Sequence, residues 1–238
     1  MNLEILYEDE NIVAINKPAG LVVHSDGKTK EESVADFVAE KYPEAKDVGE
    51  PARMPNGDVV PRPGIVHRLD RETSGVMLVA KTKKGFDCLK KQFQSHEIKK
   101  EYHAFVFGEV KNDKGTIDRP IGRSSQDFRK WSAQRGARGE LREAVTEYEV
   151  ASRAKGYSFV KVFPKTGRTH QIRVHFKAIN YPLVADTLYA PERENELGFK
   201  RLALHSREIS FENVEGKKVS VTAPYPKDFE KAIKFLEK

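Results

Sequence analysis

A charged loop between two short apolar runs carries the residues best suited to chemistry. The apolar runs, residues 65–66 and 76–80, are typical of buried strands. Between them, Asp70 lies close to Arg68 and Arg71. Neighbouring cations stabilise the charged form of a carboxylate, so we expect Asp70 to be ionised at neutral pH. An ionised carboxylate held on a loop is a candidate nucleophile.

Hydroxyl and glycine residues follow this aspartate and would hold the loop in one shape. Thr73 and Ser74 can hydrogen-bond the loop backbone, and Gly75 tolerates backbone angles that other residues avoid. The alternative is that Asp70 is a surface aspartate paired with arginine, which is the commoner state of such a residue.

Residues 67–75 read HRLDRETSG, which resembles the signature loop of the RluA-type pseudouridine synthases. The resemblance continues in family order through residues 16–20, 101–104, 167–173 and 202–205, and so spans most of the chain. In the first of these runs Lys17 is a candidate supporting residue, and a solvated lysine is the alternative. A match of nine residues of mixed type is highly specific.

The resemblance implies isomerisation of uridine to pseudouridine within RNA, with the target nucleotide flipped out of its stack. Asp70 would be the nucleophile, attacking either ribose C1′ or uracil C6. Arg173 would pair with Asp70, and Tyr102 would stack on the uracil and help to move its C5 proton. Ribosomal and transfer RNA are both open as substrates. Neither a cofactor nor a metal is implied.

The resemblance also suggests residues that contact the RNA. Arg68 is expected to enter the gap that the flipped base leaves. The other expected contacts are His67, Thr73, His170, Gln171, Leu204, Arg123 and Arg129. We expect a structured stem-loop as the RNA partner and a monomeric protein.

Uneven charge gives a second indication of an RNA partner. The net charge is +6, and residues 119–142 alone contain seven basic and two acidic residues. Such a concentration is typical of a phosphate-contacting surface, although a solvated basic loop is the alternative. Phe128 and Trp131 lie within this stretch, where they can stack on bases or fill a small core.

The composition is that of an ordinary globular protein, with 38% hydrophobic and 33% charged residues. The sequence contains neither a signal peptide nor an apolar run long enough to span a membrane, so the cytoplasm is the expected location. The single cysteine, Cys88, fits a reducing compartment.

Strand and helix patterns intermingle without strict alternation along the chain. We therefore predict one α+β domain over residues 1–238, built on a large mixed, mostly antiparallel sheet. Residues 29–32 fit a capping box for a helix that runs to Lys41, and residues 169–180 carry a helical apolar stripe with Arg173 at its margin. The resemblance implies the same fold. Because the catalytic motifs lie close to the start of the sequence, we expect the family's small N-terminal RNA-binding domain to be absent.

Two residues depart from the family pattern. Asn180 replaces a common glycine and tolerates a left-handed backbone. Ala185 replaces a typical glycine before Asp186, and we expect this change to shift a loop near the site.

Two other functional classes fit parts of the sequence. A nuclease would use His67, Asp70, His170 and Asp186 around a metal ion, and chelators would inhibit it. A non-catalytic RNA-binding protein would bind RNA without forming pseudouridine.

Overall fold

Fourteen strands and four α-helices form in the residues that the computed structural model describes, which are 1–25, 31–53, 57 and 59–237. The strands are β1 (Glu4–Glu8), β2 (Ile12–Lys17), β3 (Ala52–Arg53), β4 (Val59–Val60), β5 (Ser74–Ala80), β6 (Lys99–Phe107), β7 (Lys114–Asp118), β8 (Ile121–Arg123), β9 (Trp131–Ser132), β10 (Arg138–Arg142), β11 (Val145–Ala154), β12 (Tyr157–Pro164), β13 (Leu204–Glu212) and β14 (Lys218–Thr222). The helices are α1 (Val34–Lys41), α2 (Lys83–Gln94), α3 (Gln171–Ala178) and α4 (Lys227–Leu236).

These elements form two compact units. Unit 1 comprises Met1–Lys99 and Ser206–Pro224, and unit 2 comprises Lys100–His205 and Tyr225–Lys238. Within the described part of the chain, no helix has the length and apolar character needed to cross a lipid bilayer. The single catalytic domain over residues 1–238 stays a prediction.

Unit 1 is built on a sheet with the strand order β1-β2-β5-β13, and β14 pairs with β13. Every residue of β5 is buried, and the apolar cluster on this sheet includes Val76, Leu78 and Leu89 of α2. β5 also leads directly out of the charged loop. Its glycine, Gly75, has a φ of 108°, and an added Cβ would clash with the carbonyl oxygen of Ser206. The sheet therefore fixes one end of the loop, and glycine is required there.

Unit 2 is built on a sheet with the strand order β6-β12-β11-β7, whose neighbours are antiparallel. The turn between β11 and β12 lies at Lys155 and Gly156, and both residues have positive φ. α3 contributes Ile172 and Phe176 to the apolar cluster of this unit. The prediction of an α+β fold on mostly antiparallel strands is confirmed.

Two helix boundaries differ from the sequence predictions. α3 is shorter than residues 169–180, because His170 before it and Asn180 after it adopt left-handed φ values of 55° and 67°. α1 begins at Val34, where Ser33 and Asp36 form the capping box. The predicted cap at Thr29 and Lys30 lies outside the described residues.

Ala185 occupies a backbone conformation that favours glycine, with a φ of 55°. A left-handed conformation costs an L-residue about 1–2 kcal/mol. Replacement by glycine removes this cost, but the greater conformational entropy of glycine in the unfolded chain offsets about 0.4–1 kcal/mol of the benefit. We therefore expect Ala185→Gly to raise the free energy of unfolding by about 0.5–1 kcal/mol, measured by urea denaturation. Ala178→Gly, at the end of α3, should instead lower it. A lower free energy of unfolding in Ala185→Gly than in wild type would contradict the presence of backbone strain at Ala185.

Candidate active site

His67 ties the charged loop to the sheet and to a helix of unit 1. Its imidazole stacks on the Phe93 ring of α2, with ring centroids 4.6 Å apart. Its Nε2 accepts a hydrogen bond of 2.9 Å from the Leu78 N–H in β5. Because a backbone N–H can only donate, Nε2 is the acceptor and the proton of the neutral ring is on Nδ1. This contact gives His67 a positioning role, and its contact with RNA stays a prediction.

Lys17 is fully buried at the end of β2, which excludes the solvated alternative. Its ammonium group donates hydrogen bonds to the carbonyl oxygens of Pro18, Leu21 and Arg71, at 2.9, 2.7 and 2.9 Å. The N–H of Gly20 donates to the same Arg71 oxygen at 2.9 Å. The residue directly after Asp70 is thus joined to the run that follows β2. A buried cation and a buried strand hold the loop from two sides.

The remainder of the loop is a tight turn. The Thr73 N–H donates to the Asp70 carbonyl oxygen at 3.1 Å, and Thr73 and Ser74 are both buried. The Arg71 guanidinium donates to both carboxylate oxygens of Glu31, at 2.7 and 2.6 Å. The half-buried Asp70 therefore lies on a backbone with a defined shape.

Arg62 places a second positive charge near the exposed Arg68. Burial lowers the pKa of His24, and the charges of Arg62 and Arg68 lower it further. Burial likewise lowers the pKa of Arg62, and the charge of Arg68 adds to this effect. Such an accumulation of positive charge beside the loop favours an anionic ligand such as a phosphate group.

In unit 2, the buried Arg173 forms a bidentate ion pair with the buried Asp186. Nε and Nη2 of Arg173 donate to the two carboxylate oxygens, each at 2.8 Å. One of these oxygens also accepts the N–H groups of Leu188 and Tyr189, at 3.1 and 3.0 Å. The pair fixes the plane of the guanidinium, because two parallel hydrogen bonds allow only one orientation.

Tyr189 connects this ion pair to its surroundings. Its ring lies 5.0 Å from the guanidinium carbon of Arg173. Its hydroxyl oxygen accepts a hydrogen bond of 3.0 Å from the backbone N–H of Trp131 and lies 2.9 Å from Nδ1 of His170. One buried tyrosine therefore contacts the start of α3, the arginine and strand β9.

The side chain of Gln171 is buried, and both its amide oxygen and its amide nitrogen are hydrogen-bonded. Its amide oxygen accepts from the Thr166 hydroxyl and the Arg168 N–H, at 2.7 and 2.9 Å. Its amide nitrogen donates to Val145 O and to the Thr146 hydroxyl, both at 3.0 Å. These bonds make Gln171 a support of α3, and its contact with RNA stays a prediction.

Tyr102 and Leu204 belong to the same apolar cluster as Ile172 of α3. Leu204 is buried, whereas Tyr102 is half-buried in β6 with Val162 opposite on β12. Unit 2 thus brings two of the predicted residues close to the helix that carries Arg173.

The basic stretch folds into the three-stranded sheet β10-β8-β9. The Arg123 guanidinium lies 4.1 Å from the centre of the Trp131 ring. At the tip, Arg129 donates two hydrogen bonds to the Asp127 carboxylate, at 3.1 and 2.8 Å, and holds the pKa of Asp127 below its usual range. Arg135 and Arg138 are exposed. The sheet therefore presents an ordered cationic surface.

The structure places the predicted residues in these groups. The charged loop contains His67, Arg68, Asp70 and Thr73, and the start of α3 contains His170, Gln171 and Arg173. Arg123 lies in β8 of the basic sheet, and Arg129 lies in the connection between β8 and β9. The sequence reasoning did not assign a positioning role to Asp186 or Tyr189. Among the described residues, no three His, Cys, Asp or Glu side chains are grouped so that they could hold a metal ion.

Comparison with known proteins gives a consistent match. The sequence profile of a family described as RNA pseudouridylate synthase matches residues 11–178. A protein named "Uncharacterized RNA pseudouridine synthase" from Synechocystis sp. is 37% identical over 98% of this chain and 69% of its own length. A "Ribosomal large subunit pseudouridine synthase D" from Pseudomonas aeruginosa is 36% identical over 96% of this chain and 70% of its own length.

A solved structure shows the same fold. "Human RNA Pseudouridylate Synthase Domain Containing 4" has a TM-score of 0.75 at 24% identity, covering 98% of this chain and 93% of that protein.

The buried Lys17 should stabilise the loop. In Lys17→Met the side-chain volume is nearly kept, but three carbonyl oxygens lose their donor. We expect the free energy of unfolding to fall by about 2 kcal/mol or more, and hydrogen exchange at the Gly20 amide to accelerate. Lys83→Met, on the exposed face of α2, is the matched control and should change little. Equal stability of the two variants would contradict the role of Lys17.

Proposed function

This chain belongs to the RNA pseudouridylate synthase family, and we propose that it isomerises particular uridines of ribosomal large-subunit RNA. As a member of this family it is an RNA pseudouridine synthase. The ribosomal substrate is supported by relatives that carry the name "Ribosomal large subunit pseudouridine synthase D". Transfer RNA is the alternative substrate.

The position of Asp70 on a hydrogen-bonded turn is the observation that carries this proposal. Isomerisation breaks the bond from uracil N1 to ribose C1′ and forms one from C5 to C1′, while C5 loses a proton and N1 gains one. Asp70 acts as the nucleophile on either C1′ or uracil C6. Lys17, His67 and Gly75 support this role, because their contacts hold the turn before the substrate arrives.

The target nucleotide must leave its stack, since ribose C1′ and uracil C6 of a stacked nucleotide are inaccessible to a side chain. We propose that Arg68 enters the gap left by the base. The exposure of Arg68 and the positive charge around it support contact with the RNA backbone. Thr73 is buried, so we expect it to support the turn as well as the bound nucleotide.

Tyr102 is proposed to stack on the flipped uracil and to assist transfer of the C5 proton. Its half-buried position in β6 supports this role, because the strand fixes the ring. Leu204, in the same apolar cluster, would pack against the base.

Arg173 is proposed to pair with Asp70, as the family resemblance implies. Its bidentate bond to Asp186 supports the role of a rigid cation, since the guanidinium cannot rotate freely. His170 and Gln171 keep the start of α3 in place beside it.

The exposed arginines of the basic sheet are proposed to bind the phosphates of a structured stem-loop. Its cationic surface and its attachment to Tyr189 support this role. A monomeric state and a cytoplasmic location stay predictions.

Asp70→Asn should abolish pseudouridine formation, because an amide keeps the volume of the carboxylate but is not a comparable nucleophile. The measurement is the release of tritium from uracil C5 in an RNA substrate, with RNA affinity determined in parallel. Asp87→Asn, on the exposed face of α2, is the matched control and should retain activity. Turnover by Asp70→Asn at the wild-type rate would remove Asp70 from the role, and RNA binding without turnover by the wild-type protein would favour a non-catalytic RNA-binding protein.

Arg173→Lys should lower kcat at least tenfold, because lysine keeps the charge but loses the planar fork. The chain offers a matched control in Arg201, which forms a bidentate pair of the same kind with Asp228, at 2.8 and 3.0 Å. Arg201→Lys should lower stability while kcat stays near the wild-type value. Equal kcat losses in both variants would reduce the role of Arg173 to folding.

The double variant Arg135→Ala and Arg138→Ala should bind RNA with a weaker dependence on salt. In the part of the chain that the structure describes, neither side chain lies in an ion pair with an acidic residue. If both contact phosphates, the slope of log affinity against log salt should decrease by about 1.4–1.8. Lys217→Ala with Lys218→Ala removes equal charge from the β13–β14 hairpin and is the control. Identical slopes for both double variants would show that the basic sheet is only solvated.

A further inference from the structure

Phe128 is the most exposed large apolar residue that the structure describes, with 84% of its surface accessible. Trp131, its aromatic neighbour along the chain, is half-buried against Arg123 and the apolar cluster that contains Tyr189. The two aromatic residues of the basic stretch therefore differ in role. Trp131 belongs to a small core, and Phe128 does not.

The tip that carries Phe128 is ordered by its own hydrogen bonds. The Ser124 N–H donates to Lys130 O at 3.0 Å, and the Lys130 N–H donates to Asp127 O at 2.9 Å. Nη1 of Arg123 donates to the carbonyl oxygen of Phe128 itself, at 3.3 Å. These bonds fix the backbone on both sides of the exposed ring, so little backbone entropy remains to be lost when the ring meets a partner.

The surroundings of the ring are cationic. Arg129 and Lys130 follow Phe128 directly, and both lie within ion-pair distance of Asp127. The Arg123 guanidinium lies over the Trp131 ring, so the tip carries three cations and one carboxylate. An aromatic ring among cations is the combination that binds unpaired nucleotides, because bases stack on the ring while phosphates bind the cations. A single exposed ring with charged neighbours is a poor site for a protein, since protein hot spots lie at the centre of a larger desolvated patch.

We propose that Phe128 is a stacking site for an unpaired base of the RNA substrate. This inference rests on the proposed function and deepens it, because it requires a substrate with an unpaired nucleotide within reach of the basic sheet. The site adds affinity through stacking, whereas the arginines of the sheet add it through charge. The two contributions are separable, since stacking releases no counterions.

The test compares the affinities of Phe128 variants for an RNA stem-loop at several salt concentrations. Phe128→Ala should weaken binding about 5- to 150-fold, with an unchanged salt slope. Phe128→Tyr should restore affinity, while Phe128→Leu should not, because leucine keeps apolar surface without a stacking face. Leu141→Ala, which removes another exposed apolar side chain of the same small sheet, is the control and should bind like wild type.

A second substrate makes the test specific for an unpaired base. A fully paired duplex RNA of the same length should bind wild type and Phe128→Ala equally. Equal affinities of the two proteins for the stem-loop, or restoration by Phe128→Leu, would overturn the proposal. Retained RNA affinity in Phe128→Ala together with loss of binding to isolated ribosomal proteins would also overturn it, in favour of a protein contact.

The outcome is independent of the catalytic assignment. If the wild-type protein forms no pseudouridine, the proposed function fails, but the affinities still decide whether Phe128 stacks on RNA. If pseudouridine forms and Phe128→Ala binds normally, the proposed function stands and the stacking site is rejected.

Discussion

The buried ion pair between Arg173 and Asp186 is the constraint on which the arrangement of unit 2 depends. A buried guanidinium is tolerated only when it is neutralised and hydrogen-bonded, and removing one partner of such a pair costs about 3–5 kcal/mol. Asp186 satisfies this requirement with both oxygens and also accepts two backbone N–H groups. Tyr189 then extends the constraint to His170 and Trp131. The helix with the proposed catalytic arginine and the proposed RNA-binding sheet are therefore fixed by one polar network.

In unit 1, hydrogen bonds of buried polar groups likewise hold the signature loop in place. Its apolar cluster determines the position of β5, but a loop rich in charge cannot be held by apolar packing alone. Lys17 supplies the missing interactions by donating to three carbonyl oxygens, and His67 accepts one backbone N–H. Such contacts exist before the substrate binds, so the proposed nucleophile requires little reorganisation during the reaction. Exposed Arg68 and Phe128, by contrast, are available for RNA because they contribute little to either core.

Local patterns were sufficient to predict the elements next to the site. The apolar run at residues 76–80 predicted β5, and the apolar stripe at residues 169–180 predicted α3. Residues 65–66, by contrast, form only an isolated bridge from Ile65 to Val79. The positioning residues were harder to predict from the sequence, because burial of a polar group depends on partners distant in sequence. Lys17 bonds to a residue 54 positions away, and Tyr189 bonds to Trp131 across 58 positions. The sequence predictions named Asp186 only beside Ala185 and as a metal ligand of the alternative nuclease. Its pairing with Arg173 was missed, since the sequence does not show that a carboxylate 13 residues away will meet the guanidinium.

We propose above that this chain modifies particular uridines of ribosomal large-subunit RNA. The most direct measurement is a map of pseudouridines in the ribosomal and transfer RNA of cells with and without the gene. We expect one or a few pseudouridines in large-subunit RNA to disappear without the gene and to return when the wild-type gene is restored. Loss of a site in transfer RNA alone would contradict the ribosomal assignment, and identical maps would contradict the claim as a whole.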